Sequence, residues 1–164
     1  MSKILIELVP RTCWFTNVRS QVSVSDWDIL RKEAYKKHNY KCSICHMKGR
    51  MEAHEIWHYD DKNKIQKLFE ITSVCNKCHQ LYHLGFASIN GNFNKCKTWL
   101  KKLNNWTEEE VEEYINIVFD IWNQRSNYNW NLDLSLLDNK RIPYKIINKL
   151  ERSKLSIKQL KQSN

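Results

Sequence analysis

The apolar run Ile4, Leu5, Ile6, Leu8 and Val9 reads as a strand over 3–9, closed by Pro10. Residues 11–24 carry no clear period and read as irregular. Ser25 with Asp28 three residues on has the form of a capping box, and Trp27, Leu30, Ala34 and Tyr35 recur at helical spacing, so a helix is predicted over 26–37. Residues 51–59 read as a strand, Asp60-Asp61-Lys62-Asn63-Lys64 as a turn, and 65–74 as the return strand. A short helix over about 76–84 is expected to stop at Gly85. Phe93, Cys96, Trp99, Leu100 and Leu103 mark a further helix. Thr107 and Glu110 form a capping box for the next, over about 108–125. Its stripe is Val111, Tyr114, Ile115, Val118, Phe119 and Trp122, and Glu108, Glu109 and Glu110 favour its N-terminal dipole. Trp130, Leu132, Leu134, Leu136 and Leu137 are expected to fold back onto these helices, and beyond Pro143 the chain reads as one basic helix.

Composition narrows the class. With 164 residues, 41% hydrophobic and 12% aromatic, the chain can build a real core. Three Gly and two Pro exclude collagen-like and linker-like classes. No apolar run approaches the ~20 residues of a membrane helix, and the charged opening segment is a poor signal peptide. A cytoplasmic location without membrane contact is expected. The net charge is +9, from 27 basic minus 18 acidic residues. Most of the excess lies in 139–164, with eight bases and one acid. Lys140, Arg141, Lys145, Lys149 and Arg152 are therefore candidate phosphate contacts for nucleic acid. Residues 89–138 carry five bases and eight acids, a balance suited to a basic protein partner.

Six Cys in a reducing compartment point away from disulfides. Cys42-Ser43-Ile44-Cys45 and Cys75-Asn76-Lys77-Cys78 have the spacing of a four-thiolate structural zinc site, because two intervening residues let both sulfurs of a turn reach one tetrahedral ion. Cys13 and Cys96 read as buried small hydrophobes. Five of the six His lie between 46 and 83. His79 and His83, at i and i+4, share a helix face and can hold a second divalent cation. On the preceding strand Glu52, His54 and Ile56 share one side, and Glu55 and Trp57 the other. Such a cluster suits phosphodiester cleavage, where a metal ion neutralises developing charge and a neutral His accepts a proton from water.

The stretch 42–83 resembles the HNH (ββα-metal) endonuclease family in three pieces. They are Cys42-Ser43-Ile44-Cys45, the run Glu52-Ala53-His54-Glu55-Ile56-Trp57, and Cys75-Asn76-Lys77-Cys78-His79 with His83 four residues later. The flank 122–137 is similar to that of small bacterial and phage proteins of this family. The resemblance implies a treble-clef zinc unit held by Cys42, Cys45, Cys75 and Cys78. It implies His79 as a ligand of the catalytic metal, and His83 as a second ligand or a phosphate contact. The family's strand motif pairs a metal ligand with a general base. Two registers fit: His54 as the base with Ala53 in the ligand place, or His54 as the ligand with Glu55 in the base place. Glu70 stands where the family has its middle Asn. His54 is the first choice for the base and Glu55 the second choice for base or ligand; His58, Asp60 and Asp61 are accessory candidates.

The expected fold is α+β: a treble-clef/ββα-metal unit (zinc knuckle, hairpin, short helix) embedded in a mainly helical domain. Four segments are expected, an N-terminal strand and helix (1–40), the zinc unit (41–88), a helical part (89–138) and a basic tail (139–164). The expected function is metal-dependent hydrolysis of DNA, with structural Zn2+ and Mg2+, Mn2+, Ni2+ or Zn2+ as the second ion. Double-strand cutting by such nucleases commonly uses two active sites, which would make a homodimer. The alternative is a non-catalytic zinc module that binds nucleic acid or protein.

Overall fold

The fold is that of a computed structural model in which residues 4–162 are described. It is mixed α and β. The elements in order are a 3-10 turn Arg11–Cys13, α1 (Val18–Gln21), α2 (Val24–Lys37), β1 (Met51–Asp60), β2 (Ile65–Cys75) and α3 (Asn76–Tyr82). There follow α4 (Leu84–Ile89), α5 (Phe93–Asn104), α6 (Glu108–Arg125), β3 (Asn131–Asp133), a 3-10 segment Ser135–Lys140 and α7 (Lys149–Gln162). The sheet has the order β1-β2-β3. A turn of four residues joins β1 to β2, and strands so linked pair antiparallel. β3 pairs parallel to β2, with Ile65, Gln66 and Lys67 opposite Asn131, Leu132 and Asp133.

The described residues form two compact units. The first comprises 4–8, 34–54 and 72–122, and the second 9–33, 55–71 and 123–162. The first buries Ile4, Ile6, Val74, Leu81, Leu84, Leu100, Val111 and Ile115. α6 opens on the expected capping box: the Thr107 N–H donates to Glu110 Oε2 at 2.7 Å, and the Glu110 N–H to Thr107 Oγ1 at 3.2 Å. The second unit buries Val18, Leu30, Leu68, Trp130, Leu134 and Leu137. Cys13 and Cys96 are buried, each in its own unit.

Several expectations change. The described part of 3–9 is extended but forms no strand; residue 3 lies outside the described residues. Ile4, Ile6 and Leu8 are buried in alternation as expected. The backbone, however, pairs with side chains: the Ile4 N–H donates to Asn104 Oδ1 at 3.1 Å and the Ile6 N–H to Tyr114 Oη at 2.6 Å. Within 11–24 the chain makes a 3-10 turn and α1, whose cap is Asn17. α2 begins two residues earlier than expected because Ser23, not Ser25, accepts the Asp26 N–H, at 3.1 Å. Asp28 instead bonds Arg31 and Lys32 one turn on. The helix after the second Cys pair ends at His83 (φ −117°, ψ 40°), and Gly85 lies inside α4 rather than stopping α3. Residues 131–133 add a strand to the sheet. The tail helix is α7, but Arg152 is fully buried in it.

Candidate functional site

The site lies in the first unit and is built by the ends of β1 and β2, the turn at 42–45, and α3. Cys42 and Cys45 sit on a tight knuckle: the Cys42 N–H donates to the Met47 carbonyl at 3.0 Å and the His46 N–H to the Cys42 carbonyl at 2.9 Å. His46 takes φ +60° to close that turn and is exposed, with no part in a cluster. The Ser43 N–H donates to the Ser73 carbonyl at 2.8 Å, which ties the knuckle to β2. Cys75 ends β2 and Cys78 lies one turn into α3.

The four Sγ atoms lie within 4.8 Å of one another, and all four thiols are free. Cys45 Sγ and Cys75 Sγ are 3.6 Å apart. A tetrahedral ion with Zn–S bonds of about 2.3 Å needs sulfurs about 3.8 Å apart. The cluster therefore has the dimensions to hold a metal such as zinc. Donors surround it. The hydrogen bond from the Cys78 S–H lowers the Cys42 pKa to about 4 against the opposing effect of burial, with smaller help from the backbone N–H groups of Cys45, Cys75 and Ile44. That same hydrogen bond, and then burial, pushes Cys78 up. Trp99 of α5 donates its Nε1–H to Cys78 Sγ at 3.3 Å.

A second cluster shares α3 with it. One nitrogen each from His54, His79 and His83 lies within the same 4.8 Å span, close enough to share one metal ion. The ring centroids are 4.7 to 5.3 Å apart, and His79 Nε2 is 3.1 Å from His83 Nε2. Two nitrogens on one ion at about 2.0–2.1 Å are about 3.0–3.4 Å apart. Glu52 backs this cluster. Its Oε2 accepts from His79 Nδ1, and its Oε1 accepts from Asn76 Nδ2 at 3.4 Å. Partial burial raises the Glu52 pKa, but the hydrogen bonds from His79 and Asn76 outweigh that and lower it. The carboxylate then only accepts, which puts the His79 proton on Nδ1 and directs Nε2 at the cluster. The ring of Tyr82 stacks on His54 at 4.2 Å. Burial, then the neighbouring imidazoles His83 and His79, holds the His54 pKa well below its usual value. Burial and then His79 lower His83 to about 4. Both rings are neutral near pH 7 and offer lone pairs to a cation.

The remaining candidates do not join this cluster. Glu55 points to the opposite strand face, and in the second unit its Oε1 accepts the Val18 N–H at 2.9 Å. Burial raises its pKa to about 7 against the backbone bonds from Arg19 and Val18. His58 is exposed and stacks on Phe69 at 4.1 Å. Asp60 caps its own turn, accepting the Lys62 and Asn63 N–H groups at 3.1 and 2.9 Å. Asp61 takes both ends of the Arg125 guanidinium, at 3.0 and 2.9 Å. The accessory ligand role for His58, Asp60 and Asp61 is therefore corrected to stacking, turn-capping and ion pairing.

The basic tail also divides. Arg152 is not a phosphate contact, since its guanidinium is spent on the Thr16 hydroxyl and carbonyl, Gln66 Oε1 and the Trp130 carbonyl. Lys140 pairs with Glu33. Arg141, Lys145 and Lys149 are exposed. Glu52 gains a role that the residue pattern leaves unassigned, although its place two residues before His54, on the same strand face, is a signal for it. The Trp99 contact has no sequence signal, because α5 reaches Cys78 only through tertiary packing.

No protein-family model, curated protein or solved structure matches this chain. No helix among the described residues is long and apolar enough to cross a membrane.

Proposed function

We propose that the protein is a metal-dependent endonuclease of the HNH type, acting on the phosphodiester bonds of DNA. One observation carries this reading: His54, His79 and His83 converge, with His79 backed by Glu52 and next in α3 to Cys78 of the four-cysteine cluster. The order of knuckle, hairpin and α3 supports a treble-clef zinc unit with a ββα-metal site. A divalent ion bound by the three imidazoles would supply charge stabilisation at the scissile phosphate. The chain's own contribution is orientation. Glu52 fixes the His79 tautomer, and Tyr82 limits rotation of the His54 ring. In this reading His54 takes the ligand place of the strand motif and not the base place; Glu55 follows it in sequence but faces the other side of β1, where it accepts the Val18 N–H, so it is not the base of this cluster.

The test is nicking of supercoiled plasmid by zinc-loaded protein, with Mg, Mn, Ni or Zn added singly. Wild type should nick with at least one ion, and His54→Ala should not, with its cysteine-site zinc retained. Glu55→Gln keeps an oxygen for the Val18 N–H and should nick as wild type, since Glu55 lies outside the cluster. Absence of nicking with every ion would overturn the reading. A second reading, a non-catalytic zinc module for nucleic acid or protein, is favoured by the engagement of Glu55 in capping α1. DNA bound but never cut would establish it.

A further inference from the structure

Between α3 and α5, in the first unit, lies an open cleft of about 630 Å3, within the range of small-ligand sites. Lys77, Lys95 and Lys102 line it, together with Trp99, Asn76 and Gln80, and no carboxylate is among the lining residues. The lysines of α5 are sorted by what faces them. Lys97 is 2.7 Å from Glu112 and 3.4 Å from Glu108, and Lys101 is 3.2 Å from Glu108, so α6 neutralises both. Lys95 and Lys102 turn to the cleft, where Lys95 bonds the neutral Asn92 side chain at 3.3 Å. Lys77 and Lys102 hold their ammonium groups 5.3 and 5.8 Å from the centre of the Trp99 ring. The cleft thus carries three positive charges over an indole wall, with amides along its edge.

We propose that this cleft binds the sugar–phosphate backbone of a nucleic-acid strand. Lys77, Lys95 and Lys102 take phosphates, and the amides of Asn76 and Gln80 take sugar or phosphate oxygens. A basic groove beside an aromatic wall is the pattern of sequence-tolerant strand binding. The cleft also communicates with the histidine cluster. Gln80 Nε2 donates to Asn76 Oδ1 at 2.7 Å, and Asn76 donates to Glu52, which holds His79. The cleft residues and the histidines occupy adjoining faces of α3, with Asn76 at their border. The inference deepens the nucleic-acid reading above and rests on it for the class of ligand.

The experiment is an anisotropy titration of a labelled single-stranded DNA oligonucleotide with zinc-loaded full-length protein and no added divalent ion, across several salt concentrations. Wild type should bind. The triple Lys77→Gln/Lys95→Gln/Lys102→Gln variant should bind at least about tenfold more weakly, with a salt slope smaller by about two, the share of three phosphates on a single strand. The corresponding triple Lys→Arg variant should keep the affinity. The Lys97→Gln/Lys101→Gln variant, altered on the same helix, should bind as wild type. Retained zinc and an unchanged circular dichroism spectrum certify folding. The inference is overturned if wild type does not bind, if the cleft variant binds as wild type, or if the control pair weakens binding equally. Displacement by polyglutamate as effective as by unlabelled DNA also overturns it, in favour of an acidic protein partner. Cleft-dependent binding without nicking would keep the cleft and sink the nuclease. Metal-dependent nicking by a protein whose binding ignores the cleft would do the reverse.

Discussion

Trp99 donates its indole N–H to the sulfur of Cys78 at 3.3 Å, so a residue of α5 supports a cluster built by the knuckle, β2 and α3. A hydrogen bond to a thiolate stabilises its charge and orients it toward a metal. Trp99→Phe keeps most of the ring and removes the donor. Zinc affinity should fall by about 10- to 100-fold, the usual cost of losing an outer-shell partner. Competition with a chromophoric chelator reads this directly. Wild-type affinity in the variant would reduce Trp99 to a packing residue.

Glu52 should act on the histidine cluster alone. Glu52→Ala leaves His79 Nδ1 without its acceptor and frees the ring to rotate. Affinity for the second ion should fall about 10- to 100-fold, and Glu52→Gln, which can still accept, should lose less. Cobalt titration followed by visible absorption measures the second site. Atomic spectrometry should show unchanged zinc at the cysteines. Loss of zinc in the variant would mean that Glu52 holds the whole unit together and is not specific to the histidines.

The start of α2 yields a local test. Ser23 Oγ accepts the Asp26 N–H at 3.1 Å and donates to Asp26 Oδ2 at 2.6 Å. Ser23→Ala should cost about 1 kcal/mol, or a fall of about 2–4 °C in Tm for a chain of this size. Ser25→Ala should change stability by less than about 0.5 kcal/mol. A larger cost for Ser25→Ala than for Ser23→Ala would restore Ser25 as the cap.

The contrast between Ser23 and Ser25 shows what residue patterns convey. Period and spacing suffice for the hairpin, for α5 and α6 with the Thr107 cap, and for the pairing of the two Cys-x-x-Cys turns. They also suffice for His79 and His83 on one face of a helix. Patterns say which side chains face inward but not what the backbone bonds to. Ile4 and Ile6 alternate like strand residues, yet their N–H groups find Asn104 and Tyr114. β3 escapes the pattern because three residues carry no period and their parallel partners, Ile65 to Lys67, lie far upstream. Arg152 reads as surface charge because composition cannot distinguish a solvated arginine from one whose guanidinium is fully bonded.

Arg152 therefore belongs to stability and not to phosphate binding. Its guanidinium supplies the Thr16 carbonyl, at 3.1 Å, and Gln66 Oε1 with their donor. Arg152→Met fills much of the volume but strands both acceptors. Each lost bond to a charged donor costs about 1.5–3 kcal/mol, so the variant should be destabilised by at least about 3 kcal/mol. Thermal denaturation measures it. At a temperature where the variant is folded, its salt slope for oligonucleotide binding should equal that of wild type. A slope reduced by about one would return Arg152 to the phosphate contacts.

Cys13 provides a pH test in the second unit. Burial raises its pKa from 9.0 to about 11, with Arg152 and Thr12 opposing the rise. The folded value lies above the unfolded one, so the contribution of the buried neutral thiol is fully present below pH 9. Between pH 9 and 11 the unfolded chain releases this proton and the folded chain keeps it. Stability should then fall by about 1.4 kcal/mol per pH unit, about 3 kcal/mol across the window. Lysines and tyrosines titrate in the same range, so the informative quantity is the difference between wild type and Cys13→Ala. Urea denaturation at pH 7, 8, 9, 10 and 11 should show the same offset between the two at pH 7 and 8, from the lost sulfur packing. Above pH 9 the curves should converge, because the variant has no thiol to ionise. Parallel curves to pH 11 would show that Cys13 ionises as readily in the folded chain as in the unfolded one.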